Sequence, residues 1–275
     1  MLVIAPNLVL SDADEAFGDG VPLILWDSLV TVANIAADTE ELDYPATNLA
    51  NPSTIDLQGW RAEDTTEQYV TASLNTMVEV DGVGLAGHNL GSAGIAVSVE
   101  IDIGAGFVEV IAPFIPADDS PILMVFTGAS LVDLRLKLAE GDEPARIAVM
   151  YAGKLLRVER GFDVGQDFTP PKFARKTEAL NGMSHRGQFI GRIITSQWVE
   201  GSSATFKHFH PDWYRTYFDP FVVAAQRDVP FFFAWSPEDY PYEVAFAWLT
   251  KDPVPAVSMV TGRNAVTIEM GGIVE

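Results

Sequence analysis

A run of alternating apolar residues directly follows a glycine-rich stretch, and this pair of features constrains the fold most. Residues 82–94 read GVGLAGHNLGSAG, and in residues 95–103 every second residue is aliphatic and β-branched. Alternation with a period of two predicts a strand that buries one face. A preceding strand is predicted at residues 76–80. The sequence therefore predicts two strands joined by a glycine-rich connection.

The same stretch contains a possible nucleotide-binding motif, because residues 82–87 match the pattern G-x-G-x-x-G. That motif binds a pyrophosphate only where a helix begins at once, so that its first N–H groups face the anion. Gly91 and Gly94 fall where this helix would have to form, and each glycine disfavours a helix by about 1 kcal/mol. We therefore predict that the match is accidental and that no nucleotide binds there.

Short predicted strands continue along the rest of the chain. In the first part they lie at residues 31–36, 68–74, 76–86, 95–103, 106–112, 121–126, 131–138 and 145–151. Later they lie at residues 154–160, 189–198, 203–209, 229–236, 243–250 and 265–269. Helical periodicity is confined to residues 211–226, where Pro211 suits a first helical position and Pro220 should kink or divide the helix. This spacing predicts a mainly β chain built from sandwiches or barrels.

Charge divides the chain into two halves. Residues 1–150 carry 24 Asp or Glu and 4 Lys or Arg, whereas residues 151–275 carry 14 and 13. We therefore predict an N-terminal arm at residues 1–24, a β-sandwich at 25–155 and a second β domain at 156–275. The net charge of −21 disfavours nucleic acid as a partner. No run of 18 apolar residues occurs, so we predict no membrane-spanning helix and no membrane partner.

The sequence lacks the residue patterns of the commoner catalytic and metal sites. It has no cysteine, which excludes thiol nucleophiles and zinc–thiolate sites, and it has no G-x-S-x-G, H-E-x-x-H or P-loop motif. His208 and His210 alternate on a predicted strand, but no third metal ligand lies near them in the sequence. We predict a protein that is not an enzyme and that needs neither a cofactor nor a metal.

His88 and Asn89 form the candidate ligand contact, in the glycine-rich connection. Two interpretations are open for this pair. The loop could bind a sugar, or the two side chains could fix the turn through local hydrogen bonds.

A succession of short segments resembles the discoidin-like (galactose-binding-like) β-sandwich domains that occur in bacteriophage tail proteins. The segments are PATNLANP at residues 45–52, GWRA at 59–62, QYVTASL at 68–74, VGLAGHNL at 83–90, VSVE at 97–100 and GFVEV at 106–110. The C-terminal part is similar to the β domains of phage tail-tip and distal tail proteins, in which a tail-tube-like sandwich or barrel has one flanking helix. The similar segments there are the helix from Trp213, the hairpin that begins at residues 230–235, and the final strand at 265–269.

This resemblance implies a structural component of a phage-type tail tip or baseplate, in a ring that joins the tail tube to distal tail proteins. Its partners would be further copies of itself, as a hexamer in the favoured arrangement or a trimer, and the tail tube, hub and tape-measure proteins. It would be made in the cytoplasm of a host bacterium and reside in the virion. The alternative is a carbohydrate-binding module that contacts host surface glycans.

The second half of the chain has the composition of a subunit interface, because it is near neutral and rich in aromatic residues and arginine. We predict that the ring contacts involve Arg157, Arg160, Arg175, Trp213, Tyr217, Phe231 and Trp235.

Overall fold

Sixteen strands in two sheets dominate the computed structural model, which describes residues 1–5, 8, 21–162 and 168–273. The predicted mainly β fold class is confirmed. The predicted arm at residues 1–24 lies only partly within the described part of the chain, since residues 6, 7 and 9–20 fall outside it. Among the described residues, no helix is both long and apolar enough to cross a membrane.

The strands alternate between the two sheets at the start of the chain and then separate. In chain order they are β1 (Leu2–Ile4), β2 (Leu23–Leu25), β3 (Ile35–Ala37), β4 (Trp60–Arg61), β5 (Gln68–His88), β6 (Val97–Asp102), β7 (Phe107–Phe114), β8 (Ile122–Leu138), β9 (Arg146–Gly153), β10 (Leu156–Arg157), β11 (Arg175–Met183), β12 (Phe189–Phe209), β13 (Phe231–Ala234), β14 (Val244–Lys251), β15 (Ala256–Val257) and β16 (Asn264–Ile273). The first sheet has the order β4-β9-β5-β8-β6-β7, with β1 beside β8 and β3 beside β5. The second has the order β10-β2-β13-β14-β16-β12-β11, with β15 beside β16. β1 pairs with β8 in parallel, and the other described pairs are antiparallel.

β5, β8 and β12 are long strands, and each joins two of the predicted ones. The joined pairs are residues 68–74 with 76–86, 121–126 with 131–138, and 189–198 with 203–209. β5 shifts register against β8 between Ser73 and Val78, and β12 shifts against β16 between Val199 and Ser202. Such irregularities bend a strand without ending it. The interruptions that suggest turns in the sequence therefore mark register shifts within continuous strands.

The glycine-rich stretch joins β5 to β6. Residues 82–88 belong to β5, residues 90–94 form a turn, and β6 begins at Val97. The predicted order of strand, connection and strand is therefore confirmed.

Other predictions about strands need correction. The strand predicted at residues 154–160 is reduced to β10 at Leu156–Arg157, and β2, β4 and β15 are absent from the predicted strands. β3 covers only the end of the strand predicted at residues 31–36, because the Asn34 side chain closes a turn: it accepts the Thr31 N–H at 2.7 Å and donates to the Leu29 carbonyl at 2.8 Å. β11 is absent from the predicted strands, because its sequence RKTEALNGM shows no apolar alternation.

One helical segment packs against the second sheet. It consists of the turn Pro211–Trp213, a π-helical turn at Tyr214–Phe218 and the helix Asp219–Ala225. Pro220 lies in the first turn of this last helix, where its missing N–H removes no helical hydrogen bond. The sequence predicts a kink or division at Pro220, but the helical backbone continues from Pro211 to Ala225, and only the change from the π-helical turn to the α-helix falls beside this proline, at Asp219.

Three large apolar clusters fill the structure. One is built mainly from the first sheet and includes Trp60. A second lies between the helical segment and the second sheet and includes Phe221. The third joins the two sheets, where Tyr151 of β9 packs edge-on against Phe232 of β13 at a ring-centroid distance of 5.6 Å. The two halves of the chain thus share a buried interface.

The start of the chain contributes to both sheets. β1 pairs with β8 of the first sheet, whereas β2 pairs with β10 and β13 of the second. The three residues of β2 are at most 2% exposed, so the burial of this apolar triplet explains its place between two strands. The domain boundaries at residues 24/25 and 155/156 stay predictions.

Candidate ligand-binding pocket

A polar pocket of about 340 Å³ opens at the end of the first sheet, where β4, β9 and β5 lie side by side. Its lining includes Thr54, Trp60, Arg61, His88, Asp119 and Arg146. β4 supplies Trp60 and Arg61, the end of β5 supplies His88, and the start of β9 supplies Arg146. Three segments that are far apart in the sequence thus meet in one concave site.

Two arginines oppose each other across the pocket. β4 pairs with β9 so that Arg61 lies directly opposite Arg146, and directly opposed residues of an antiparallel pair project from the same face. Like charges in such a pair destabilise it. The two arginines therefore need a nearby negative charge or an anionic or polar ligand to offset their repulsion. They are two of the 4 Lys or Arg in residues 1–150.

Only one of these two arginines is compensated within the described residues. Arg61 forms an ion pair with Glu41 at 3.1 Å, and its guanidinium lies 4.3 Å from the centre of the Tyr44 ring. Arg146 is half-buried, and its backbone N–H donates to the Asn89 side chain at 2.8 Å. Its guanidinium, however, makes no hydrogen bond or ion pair with any residue that the structure describes. Arg146 therefore presents an unpaired cation to the pocket.

His88 and Asn89 both line the pocket, but their polar atoms are bound to the backbone. The Asn89 amide donates to the Pro144 carbonyl at 3.0 Å, and its side-chain oxygen accepts the Arg146 N–H. His88 Nδ1 accepts the Leu90 N–H at 3.3 Å, which leaves Nε2–H to donate to the Ser120 carbonyl at 3.0 Å. These contacts favour the turn-fixing interpretation, in which the pair holds the strand ends that carry the pocket.

Burial also determines the charge of His88. Desolvation lowers the pKa of His88 from 6.5 to about 4, although the nearby Asp119 carboxylate acts in the opposite direction. The imidazole is therefore neutral at pH 7. The charged groups of the pocket are then Arg61, Arg146 and Asp119.

Asp119 is the acceptor that faces these donors. Its side chain is half-buried, and Oδ1 accepts the Ser92 N–H at 2.9 Å. Its second oxygen has no partner within the described residues, and no ion pair joins it to Arg146 there. Trp60 is 1% exposed and donates its indole N–H to the Thr39 carbonyl at 3.0 Å, so it supports the pocket from below.

Gly59 brings the two arginines into register. A Cβ at this position would lie 2.9 Å from the Ala148 Cα and 2.9 Å from the Ile147 oxygen. Only a residue without a side chain lets the chain at the start of β4 approach β9 this closely, which explains why the GWRA segment begins with glycine.

The residues predicted for a ring interface lie in different environments. Phe231 is fully buried in the second apolar cluster, so it is not accessible to another copy, and its aromatic character reflects the core. Tyr217 is 56% exposed, and Arg175 is also exposed. The other four are half-buried: Arg157, Arg160, Trp213 and Trp235.

Arg146 and Asp119 are candidates that sequence reasoning missed. A signal for Arg146 exists, because it is one of only 4 Lys or Arg in residues 1–150 and it opens a strand. Asp119 has no such signal, because it is one of 24 acidic residues in the same region. Its role emerges only from its position beside β4 and β9.

No protein-family model matches this chain, and no curated protein matches it either. Similar solved structures include chitosan-binding module 1 from the chitosanase/glucanase of Paenibacillus sp. IK-5. That module is 12% identical, with a TM-score of 0.41 over 46% of this chain and 99% of the module. The Clostridium perfringens module CpGH89CBM32-5, solved with GalNAc-β-1,3-galactose, is 16% identical, with a TM-score of 0.40 over 46% of this chain and 100% of its own.

A third similar structure is the family 32 carbohydrate-binding module of Clostridium perfringens NanJ, solved with galactose. It is 13% identical, with a TM-score of 0.38 over 47% of this chain and 98% of its own. Each of these three modules matches less than half of this chain, at a TM-score of 0.41 or below. The tail role stays a prediction.

Proposed function

We propose that this chain is a non-catalytic binding module that holds a sugar residue of a glycan in the pocket. The observation that carries the proposal is the guanidinium of Arg146, which faces the cavity without a partner among the described residues. Asp119 offers an acceptor to the same cavity. Each sugar hydroxyl both donates and accepts, so adjacent hydroxyls suit a site with one charged donor and one charged acceptor.

The size and charge of the pocket agree with a small hydroxylated ligand. Its volume of about 340 Å³ is near the lower end of the usual range for ligand pockets, roughly 300–1,000 Å³. A polyanion such as nucleic acid is disfavoured by the net charge of −21. A single sugar residue therefore fits better than a nucleic-acid segment.

The carboxylate content of the pocket supports binding without catalysis. Hydrolysis of a glycosidic bond generally uses two carboxylic side chains on either side of the bond. Asp119 is the single carboxylate among the lining residues that the structure describes. We therefore infer that the pocket retains its ligand unchanged.

Calorimetric titration tests this proposal with galactose, GalNAc-β-1,3-galactose and chitosan oligosaccharides as probes. We expect one of them to bind the wild-type chain, and Arg146→Ala to weaken that binding about tenfold or more, since a hydrogen bond to a charged group contributes about 1.5–3 kcal/mol. Arg227→Ala is the matched control, because Arg227 is exposed on a different part of the chain. Equal affinities for Arg146→Ala and wild type would contradict the assignment of the pocket.

A structural role in a phage-type tail tip is the second candidate, and exposed apolar residues in the second half of the chain favour it. Leu180, Phe189 and Ile193 are each at least 67% exposed, which is typical of a subunit that is covered in an assembly. A hexameric or trimeric ring of copies and residence in the virion belong to this candidate. Light scattering on the full chain tests it, with a single closed oligomer as the expected result and a strict monomer against it.

A further inference from the structure

β11 and the first half of β12 project from the second sheet as a two-stranded ribbon. β11 pairs along its whole length with residues 189–199, and β12 pairs with β16 only from Val199 onward. The nine residues of β11 extend about 30 Å at the usual rise of about 3.3 Å per residue. We name residues 175–199 the ribbon.

The ribbon exposes five large apolar side chains. Leu180, Met183, Phe189, Ile190 and Ile193 are each between 65% and 70% exposed. Leu180 lies directly opposite Ile193, so these two side chains project from one face. A two-stranded hairpin alone is only marginally stable in water, and its open edge offers unpaired backbone groups. The ribbon therefore has the properties of a segment that another surface covers.

The charge of the ribbon indicates what kind of surface that is. Residues 175–199 carry four Lys or Arg and one Asp or Glu, whereas the rest of the chain carries 13 and 37. Residues 62–138, which include most of the first sheet, carry eleven Asp or Glu and two Lys or Arg, and these two cations, Arg135 and Lys137, are already paired with Glu100 and Glu67. The ribbon is thus a basic, apolar segment on a strongly acidic protein, and a second copy of this chain offers it a complementary surface.

β7 is the part of the first sheet that can receive such a ribbon. It is the terminal strand of that sheet, and within the described part of the chain it pairs on one side only, with β6. Its residue Val108 is 57% exposed, Glu109 is also exposed, and the flanking Ile103 and Ile115 are 52% and 58% exposed. Pro113 limits pairing only near the C-terminal end of the strand. β7 therefore combines an open edge with apolar and acidic side chains.

We propose that the ribbon of one copy adds its β11 edge to the β7 edge of a second copy. β11 is the terminal strand of the second sheet, with no strand beyond it among the described residues, so both partners contribute an open edge. The contact joins two different surfaces, so each copy can bind one neighbour through its ribbon and another through β7. This inference does not depend on the saccharide pocket.

Sedimentation velocity on the full chain tests the inference with two complementary variants. The double variant Leu180→Ser/Ile193→Ser alters the ribbon, and the double variant Val108→Lys/Glu109→Lys alters β7. All four side chains are exposed in the wild type, so the circular dichroism spectrum and the melting temperature of each variant should match those of the wild type. We expect the wild type to self-associate reversibly between about 2 and 200 µM, and each variant to do so at least about tenfold more weakly. Raising NaCl from about 50 to about 500 mM should weaken the wild-type association, because screening removes the charge attraction.

A mixture of the two variants is the decisive measurement. One variant retains an intact β7 and the other an intact ribbon, so together they should form a one-to-one dimer that neither forms alone. Val254→Ser/Met259→Ser is the matched control, since these apolar side chains are 79% and 94% exposed outside the ribbon, and it should associate like the wild type. If the serine variant of the ribbon loses structure, Leu180→Thr/Ile193→Thr replaces it with residues of high strand propensity.

Three results would overturn the inference. A wild-type chain that stays monomeric over the whole concentration range would mean that the ribbon serves a different protein. A ribbon variant that associates like the wild type would mean that the contact lies elsewhere. A mixture that forms no dimer would exclude β7 as the receiving edge.

Discussion

Protonation of His88 should destabilise the folded chain as the pH falls. The side chain is 6% exposed, and its two nitrogens already accept from Leu90 and donate to Ser120. Protonation of Nδ1 would add an N–H group that faces the Leu90 N–H. The hydrogen bond between Leu90 and His88 would then be replaced by repulsion between two donors. Burial adds to this penalty, because the charged imidazole loses its hydration.

The size of the effect follows from the two pKa values of His88. Its pKa is lowered from 6.5 to about 4 in the folded chain, so the unfolded state takes up a proton first as the pH falls. The neutral side chain therefore contributes its full stability above about pH 6.5, and this contribution is lost between about pH 6.5 and 4. Linkage gives a loss of about 2 kcal/mol at pH 5 and about 3 kcal/mol below pH 4.

Urea unfolding at about pH 7.5 and pH 5 measures this loss, provided that the other titrating groups are subtracted. His88→Gln removes the titration, and its amide can still donate to the Ser120 carbonyl. We expect the free energy of unfolding of the wild type to fall about 2 kcal/mol further than that of His88→Gln between these pH values. His185→Gln is the control, because His185 is exposed at the tip of the ribbon, and it should behave like the wild type.

Two results would refute this reasoning. If His88→Gln and the wild type lose the same free energy of unfolding on acidification, His88 does not titrate in the way that its burial predicts. A direct titration by nuclear magnetic resonance that places the pKa of His88 near 6.5 would contradict the burial itself.

Three further outcomes are expected. Phe232→Ala should lower the free energy of unfolding by about 3–5 kcal/mol, because Phe232 is fully buried between the two sheets, and chemical denaturation should show both sheets unfolding together. A fragment of residues 25–155 should have a lower melting temperature than the full chain and should bind a dye for apolar surfaces, because it lacks β1 and about half of the third apolar cluster. A fragment that is as stable as the full chain would contradict this expectation. Thermal-shift titrations with NAD or ATP should give no saturable stabilisation, because a turn and then β6 follow residues 82–88 where a nucleotide site needs a helix.

Local patterns in the sequence determined the elements whose signals are themselves local. Alternation at residues 95–103 predicted β6, which the structure places at Val97–Asp102. Pro220 predicted a kink or division of the helix, and the change from the π-helical turn to the helix Asp219–Ala225 falls one residue before it. These features depend on side-chain periodicity and on one missing N–H group, both of which can be read without knowing where the rest of the chain lies.

Tertiary structure alone decided how these elements combine. Nothing in the apolar triplet of β2 indicates that it pairs with β10 and β13 of the second sheet, since any buried position between two strands would suit it. β11 lacks alternation and becomes a strand only because β12 lies beside it. Pairing partners are set by contacts between distant segments, and those contacts leave little trace in local periodicity.

The candidate pocket is the clearest case of this division. The sequence predicted His88 and Asn89 as candidates because a His-Asn pair beside glycines is conspicuous. In the structure both side chains are buried and form hydrogen bonds with backbone groups instead. The sequence signal of Arg146 is only the rarity of basic residues around it, and it becomes the candidate because register places it opposite Arg61 while Glu41 pairs with Arg61. Whether a polar side chain meets a ligand or its own backbone depends on its neighbours in space. Only the fold brings those neighbours together, because Arg61, His88 and Arg146 lie 27 and 58 residues apart along the chain.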